Sequence, residues 1–148
     1  MSRGRRRELL EGACFYHVTA RGAGGGHVFL VDLDRLDFVH VLGLVANRFD
    51  LRLIARALMG THYHLILEAH AAQLPPAMQQ LNSVYARRFN TRHGRQGHLF
   101  GARYGSWVIR DETHLHAAVQ YVIENPARAG LGSEADRWTW SVMESGSA

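Results

Sequence analysis

Alternation of hydrophobic and polar residues predicts four β-strands. Segments 13–21 and 103–110 place apolar residues at every second position, which is typical of a strand with one well-buried face. Segments 51–58 and 61–69 are predicted as two further strands separated by Met59-Gly60, where a hairpin turn is needed, so they are expected to pair antiparallel. The glycine-rich stretch after the first strand reads as a connector, and residues 28–31 are expected to add a short strand or sheet edge.

Apolar residues at three- and four-residue steps predict three helices. The first begins at Asp32 or Asp34, either of which is a suitable cap, and runs to about Arg48. The second begins at the proline pair 75–76 and reaches about residue 91, and the third covers 112–125 and ends before a proline. Their predicted buried stripes are, in turn, Leu36, Phe38, Val39, Leu42, Val45 and Phe49; Met78, Leu81, Tyr85 and Phe89; and Leu115, Val119, Val122 and Ile123.

The order strand, helix, strand, strand, helix, strand, helix predicts an α+β fold. An antiparallel sheet with helices packed on it, of the ferredoxin-like or RRM-like kind, accommodates this order. We expect a basic N-terminal arm over residues 1–11, one domain over 12–141 in which Trp138 and Trp140 are packing anchors, and a disordered tail over 142–148.

Composition excludes several classes of protein. With 148 residues, 47% of them hydrophobic, the chain is expected to form one domain with its own core. The single cysteine, Cys14, leaves neither a disulfide framework nor a cysteine-based zinc site. No apolar run approaches the length of a membrane span and the start lacks the apolar stretch of a signal peptide, so a cytoplasmic protein without a membrane partner is expected.

The basic residues point towards nucleic acid. All 17 are Arg, and the formal net charge is +4. Arginine suits bidentate phosphate contacts and stacking on bases, although codon bias in a GC-rich genome would produce the same composition. Two clusters favour a phosphate-backbone partner over a merely solvated face: Arg3, Arg5, Arg6 and Arg7, then Arg87, Arg88, Arg92 and Arg95.

Two histidine triplets differ in their geometry. His62 and His64 lie in a predicted strand, which projects alternate side chains to the same side, so both imidazoles could hold one metal ion. His114 and His116 lie in a predicted helix, where a two-residue step turns the side chains away from each other. The first pair is therefore either a metal-binding pair or a pair of ordinary surface histidines.

The third predicted helix carries a tyrosine beside its buried face. Tyr121 lies to one side of the apolar stripe, with Asn125 one turn later on the same side. A tyrosine held in this way can act as a nucleophile, and an asparagine one turn on can complete a metal site or orient a phosphate. Taken alone, Tyr121 is equally compatible with an amphipathic residue at the margin of the core.

Five segments together resemble the successive signatures of single-tyrosine HUH transposases, in the branch called REP-associated tyrosine transposases. They are GACFYHVTARG at 12–22, LMGTHYHLIL at 58–67, LNSVYARRFN at 81–90, GRQGHLFGARY at 94–104 and YVIENPARAG at 121–130. They occur in the same order and spacing as in the family. The resemblance covers residues 12–141.

The resemblance implies a function and a set of site residues. His62 and His64 match the metal-binding histidines, Tyr121 matches the nucleophile, and Asn125 matches the polar residue that completes the metal site. The implied cofactor is Mg²⁺ or Mn²⁺, and the implied reaction cleaves and transfers single-stranded or hairpin DNA through a 5′-phosphotyrosine. Arginines would grip the DNA backbone: Arg5, Arg6, Arg7, Arg21, Arg87, Arg88, Arg92, Arg95 and Arg103. The protein would act as a monomer or homodimer, since some relatives exchange the tyrosine helix between subunits.

The chain departs from the family pattern after the first strand, where small residues at 23–26 replace polar ones. A tyrosine hydroxyl ordinarily keeps its proton at neutral pH, and the sequence identifies no base to remove it. Two other functions stay open: a nucleic-acid-binding module of the same shape without catalysis, and a small metal-dependent hydrolase that uses water as the nucleophile.

Overall fold

The computed structural model describes residues 12–101 and 103–125, and the backbone of 141–143. Its strands are β1 (Ala13–Arg21), β2 (Arg52–Leu58), β3 (His62–His70), β4 (Gly105–Ile109) and β5 (Ser141–Met143). Its helices are α1 (Asp32–Phe49), α2 (Leu74–His93) and α3 (Glu112–Ile123). In the described residues, no helix is long and apolar enough to cross a membrane.

The five strands form one sheet in the order β4-β1-β3-β2-β5, and every neighbouring pair is antiparallel. The first four strands have the order of a ferredoxin-like sheet, so the predicted α+β fold and the β2–β3 hairpin are confirmed. β5 pairs with the outer edge of β2. It includes Val142 and Met143, which the sequence analysis assigned to the tail, whereas the predicted anchors Trp138 and Trp140 lie outside the described residues.

Helices α1 and α2 cover one face of the sheet and bury the larger core. Alternate residues of β1, Tyr16, Val18 and Ala20, point into this core, as the strand pattern predicted. All four residues of the predicted α2 stripe are buried. An aromatic cluster lies between the helices and the sheet and consists of Phe29, Phe38, Tyr63 and Tyr85. In α1 the prediction for Leu36 was wrong, because this residue is 55% exposed while Phe38, Leu42 and Val45 face the core.

Buried carboxylates tie α1 to α2. Asp34, fully buried, contacts Arg92 Nε at 2.8 Å and His93 Nε2 at 2.9 Å. Asp37 accepts two hydrogen bonds from Arg88 Nε, each of 2.8 Å, and one from Arg92 Nη2 of 3.2 Å. Because these charges are paired, the desolvation of the carboxylates is compensated.

Helix α3 packs on the opposite face, where a smaller apolar cluster holds it. Ala118, Val119 and Val122 of α3 are buried against Ala55, Ala57, Ile66 and Ile109 of the sheet. The predicted stripe residues Leu115 and Ile123 are partly buried at the margin of this cluster. Small residues in the sheet let the helix lie close to its surface.

Two predictions around the start of α1 were wrong. The N-cap is Val31 rather than Asp32 or Asp34, and Asp34 Oδ2 instead accepts hydrogen bonds from the backbone N–H groups of Leu30 and Val31. Residues 28–31 form no strand, because the N–H groups of Val28 and Phe29 both donate to the carbonyl of Gly60. Val28 and Phe29 are thus buried beside the turn between β2 and β3, whereas Leu30 and Val31 are exposed.

Candidate active site

The histidine pair lies on the sheet face that α3 covers. The rings of His62 and His64 have centroids 5.1 Å apart and are nearly perpendicular, at 84°. Tyr63, between them, points to the opposite face and is fully buried in the larger core. The strand alternation in the sequence predicted this division, which places two imidazoles side by side on a rigid strand.

Each of these histidines has a hydrogen-bonding partner at Nδ1. Nδ1 of His64 lies 3.0 Å from Nε2 of His17 in β1, and Nδ1 of His62 lies 3.0 Å from the Thr61 hydroxyl. A histidine that binds a metal through one ring nitrogen commonly uses the other for an outer hydrogen bond. A cation held by this pair would therefore bind both residues through Nε2.

Burial lowers the pKa of two histidines of the site, His17 and His62. His64 is only 6% exposed. Burial, together with the charge of Arg21, lowers the pKa of His62, and burial together with His114 lowers the pKa of His17. A neutral imidazole has a lone pair for a metal or a hydrogen-bond donor, so the lowered pKa values suit ligand and acceptor roles at neutral pH.

Helix α3 brings Tyr121 to the histidines within one chain. Asp111 caps the helix by accepting a 2.8 Å hydrogen bond from the backbone N–H of His114. Its apolar face is anchored in the sheet, and Tyr121 stays 49% exposed at the margin. The Tyr121 ring centroid lies 6.1 Å from the centroids of both His17 and His64. The phenol and these imidazoles thus share one site.

A cleft of about 500 Å³ opens between α3 and the sheet at this position. Trp107 of β4 forms part of its wall and lies 5.7 Å from the His17 ring. The hydroxyl oxygen of Thr19 is buried and has no hydrogen-bond partner in the described part of the chain. The cleft is lined by His17, Thr19, Arg21, His64, Trp107, His114, Ala117, Ala118 and Tyr121.

Asn125 lies one helical turn beyond Tyr121 and is 9% exposed. It does not line the cleft. Within the described residues, no group of three or more His, Cys, Asp or Glu side chains is placed to hold a metal ion.

A second cleft, of about 970 Å³, lies between α2 and the segment before β4. Arg21 lines both clefts and so connects them. The Tyr63 hydroxyl donates a 2.6 Å hydrogen bond to Oδ1 of Asn82, which orients the other end of this amide, an N–H₂ donor, away from the core. The remaining polar and aromatic residues that line the cleft include Gln79, Ser83, His98, Phe100, Arg103 and Tyr104.

The predicted DNA-binding arginines fall into three groups. Arg21, Arg87 and Arg103 are exposed and line clefts on the surface. Arg88 and Arg92 pair with the buried carboxylates of α1, and Arg95 bonds to Asn90 and to the carbonyls of residues 97 and 98. Arg5, Arg6 and Arg7 lie outside the described residues.

Sequence reasoning missed His17 and Trp107. Both lie on the same sheet face as the histidine pair, where His17 is directly opposite Trp107 and Thr19 is directly opposite His64. The signal was the alternation of β1, which grouped His17 with Thr19 on the less buried face. It becomes informative only once the pairing of β1 with β3 and β4 is known.

Comparison with known proteins gives the family. The family described as "Transposase IS200 like" matches residues 13–125. A search of the curated protein sequences found no significant match. Among solved structures, a REP-associated tyrosine transposase bound to a REP hairpin superposes with a TM-score of 0.65 at 14% identity, covering 90% of this chain and 78% of the other. A candidate transposase from Deinococcus radiodurans R1 superposes with a TM-score of 0.55 at 22% identity, covering 76% and 90%. These two likenesses establish the fold, and the family match, which spans most of the chain, establishes that the protein belongs to the IS200-like transposases.

Proposed function

We propose that this transposase cleaves and rejoins single-stranded DNA beside a hairpin, with Tyr121 as the nucleophile. One observation carries the proposal. The Tyr121 phenol and the imidazole of His64 line the same cleft of one chain, with ring centroids 6.1 Å apart. A nucleophile that already lies beside one of the two histidines proposed to hold a cation needs little rearrangement to act in line on a phosphate.

The proposed reaction replaces one phosphodiester bond by another, with no net gain or loss of protons. The Tyr121 hydroxyl oxygen forms a bond to the scissile phosphorus while the bond from phosphorus to the 3′ oxygen breaks. The phenol loses its proton and the departing 3′ oxygen gains one, which gives a 5′-phosphotyrosine and a free 3′-hydroxyl. Because one phosphodiester replaces another, a second 3′-hydroxyl can reverse the step without ATP. The ring centroids of His17 and His64 each lie 6.1 Å from that of the phenol.

The residues present fit a divalent cation, Mg²⁺ or Mn²⁺. His62 and His64 would hold it through Nε2, and Asn125 would add an oxygen ligand if the end of α3 brings its amide into the site. When bound, the cation neutralises charge on the scissile phosphate. The protein positions the two imidazoles on β3, where burial lowers the pKa of His62, and α3 positions the phenol.

The second cleft supplies a path for unpaired DNA next to the cleavage site. A strand leaving the tyrosine cleft would pass Arg21 and reach Arg103, with Phe100 and Tyr104 available for stacking on a base. The Asn82 amide would offer its N–H₂ group to a base edge. The basic arm over residues 1–11 would add contacts to the phosphate backbone. The REP-associated transposase that shares this fold is bound to a REP hairpin, and a hairpin of this class is the substrate we propose here.

A covalent adduct is the direct test. Labelled hairpin DNA with single-stranded flanks is incubated with the protein and Mg²⁺ or Mn²⁺, then separated under denaturing conditions. We expect a labelled protein band that Tyr121→Phe abolishes. Tyr16→Phe is the matched control, because Tyr16 lies on the opposite face of β1 and is buried in the larger core.

The two other functions predict different results. A binding module would retain the hairpin without an adduct, and Tyr121→Phe would then change nothing. A metal-dependent hydrolase would release cleaved DNA with turnover and without a protein-bound product. An adduct that survives in Tyr121→Phe would contradict the assignment of the nucleophile.

A further inference from the structure

His17 is a third imidazole of the site, on β1. Its side chain lies on the sheet face of the histidine pair, and its Nε2 is 3.0 Å from Nδ1 of His64. The ring lies between His64 and Trp107, with centroid distances of 5.2 and 5.7 Å. These contacts on two sides fix the orientation of His17 relative to its neighbour on β3.

The chemistry of imidazole gives this hydrogen bond a direction. A neutral imidazole has one N–H and one lone pair, so only one of the two rings donates. If His64 donates from Nδ1, its Nε2 keeps the lone pair that a cation requires. If His17 donates instead, the proton of His64 lies on Nε2 and the lone pair is used at Nδ1. The state of His17 therefore decides whether His64 can be a ligand.

The burial of His64 makes an acceptor at this place necessary. With a cation at Nε2, the Nδ1–H of His64 is a donor inside a residue that is only 6% exposed. A buried donor without an acceptor is costly. His62, which is more exposed, uses the hydroxyl of Thr61 at the same ring position, so both members of the pair have an outer partner on Nδ1.

From this geometry we infer that His17 is a positioning residue: it accepts the Nδ1–H of His64 and thereby directs the Nε2 lone pair of His64 to the cation. The inference rests on the proposed function, because it assumes a cation at the histidine pair. His17 itself is not a ligand, since its Nε2 is engaged by His64. Removal of such an outer partner typically weakens metal binding by ~10–100-fold.

Binding of Mn²⁺ to the DNA-free protein tests the inference without any activity measurement. Electron paramagnetic resonance gives the affinity from free Mn²⁺, and pulsed measurements count the coordinated imidazoles. In the wild type we expect two imidazoles on the ion. His17→Phe, which keeps an aromatic ring but has no acceptor, should weaken binding by ~10–100-fold. His17→Gln, whose side-chain oxygen reaches the place of Nε2, should restore most of it.

A control separates specific from surface binding. His116 is exposed on α3 and does not line the cleft, so His116→Phe removes one imidazole and should leave the affinity unchanged. Circular dichroism checks that the variants fold. Should His17→Phe fail to fold, the Mn²⁺ affinity of His17→Gln relative to the wild type decides whether an acceptor at this place is sufficient. Three coordinated imidazoles, or equal affinity in His17→Phe and the wild type, would overturn the positioning role.

The result is separable from the adduct test. An adduct from the wild type combined with unchanged Mn²⁺ affinity in His17→Phe defeats the positioning role and leaves the transposase chemistry standing. Loss of affinity in His17→Phe with restoration in His17→Gln supports the positioning role even if no adduct ever forms. A wild-type protein that binds no Mn²⁺ overturns the positioning role, and the adduct assay then decides the proposed function alone.

Discussion

Replacement of Asp34 by alanine should destabilise the fold severely. The carboxylate is fully buried and accepts hydrogen bonds from the backbone of Leu30 and Val31 at 2.8 and 3.1 Å and from Arg92 at 2.8 Å, with His93 at 2.9 Å. Removing one partner of a buried ion pair costs ~3–5 kcal/mol. In Asp34→Ala the backbone N–H groups of Leu30 and Val31 lose their acceptor, and Arg92 keeps its contact with Asp37. Since domains of this size are stable by only ~5–15 kcal/mol, we expect Asp34→Ala to lose a large part of the free energy of unfolding.

Urea denaturation followed by circular dichroism measures this loss. Asp32→Ala is the matched control, because Asp32 is two residues away, its side chain is 83% exposed, and it lies 4.0 Å from Arg35. We expect the control to change the free energy of unfolding by less than about 0.5 kcal/mol. Similar losses in Asp34→Ala and Asp32→Ala would refute the argument that burial, rather than charge alone, makes Asp34 important.

The same network predicts a pH dependence. Burial by itself would raise the pKa of Asp34, but hydrogen bonds from Leu30, Arg92, His93 and Val31 outweigh it and hold the pKa below its ordinary value. A carboxyl with a depressed folded pKa adds stability above its unfolded pKa of about 3.9, and the contribution disappears as the pH falls through the folded value. The difference between wild type and Asp34→Ala should therefore be constant from neutral pH to about pH 5 and shrink at lower pH. A difference that grows on acidification would contradict this sign.

Three further predictions concern the clefts and α3. Arg103→Ala should reduce the slope of log affinity for the hairpin against log salt concentration by about 0.7–0.9, as measured by fluorescence anisotropy. Arg88→Ala breaks the contact with Asp37 and should lower thermal stability instead. Equal slopes in Arg103→Ala and the wild type would exclude a phosphate contact. Ala118→Leu overfills the space under α3 at a cost of ~1–3 kcal/mol, and it should slow adduct formation while hairpin binding is retained; an unchanged adduct rate would mean that the helix position is not critical. Tyr63→Phe removes the hydrogen bond that orients Asn82, so it should cost about 1 kcal/mol in urea unfolding and weaken binding of a flanked hairpin more than that of a hairpin without flanks; equal weakening would argue against base contact in the second cleft.

The elements of the fold could be predicted because local patterns were strong. β1 has the predicted bounds, and α2 differs from the prediction only by a few residues at its ends. The predicted burial of Leu36 was wrong because periodicity identifies an apolar residue without showing whether another element covers it. The strand predicted over residues 28–31 was wrong for a different reason. The N–H groups of Val28 and Phe29 donate to the carbonyl of Gly60, a contact distant in sequence that no local pattern encodes.

The candidate site could likewise be predicted from the sequence only in part. Strand alternation was enough to place His62 and His64 together, and helical spacing was enough to keep Tyr121 at the margin of the core. The contribution of His17 depends on the register of β1 against β3, which becomes visible only when the sheet is assembled. The sequence could not show that Arg88 and Arg92 pair with buried carboxylates whereas Arg103 lines the second cleft.

The main core and the candidate site lie on opposite faces of the sheet, which affects how the protein tolerates substitutions. Among the residues that the structure describes, most of the buried apolar ones lie between the sheet and the α1–α2 layer, whereas the phenol and the imidazoles lie on the other side over a small cluster. Loss of a chemical group on the α3 side therefore removes little of what keeps the chain folded. Substitutions of the phenol or of the imidazoles are therefore expected to accumulate without unfolding the sheet.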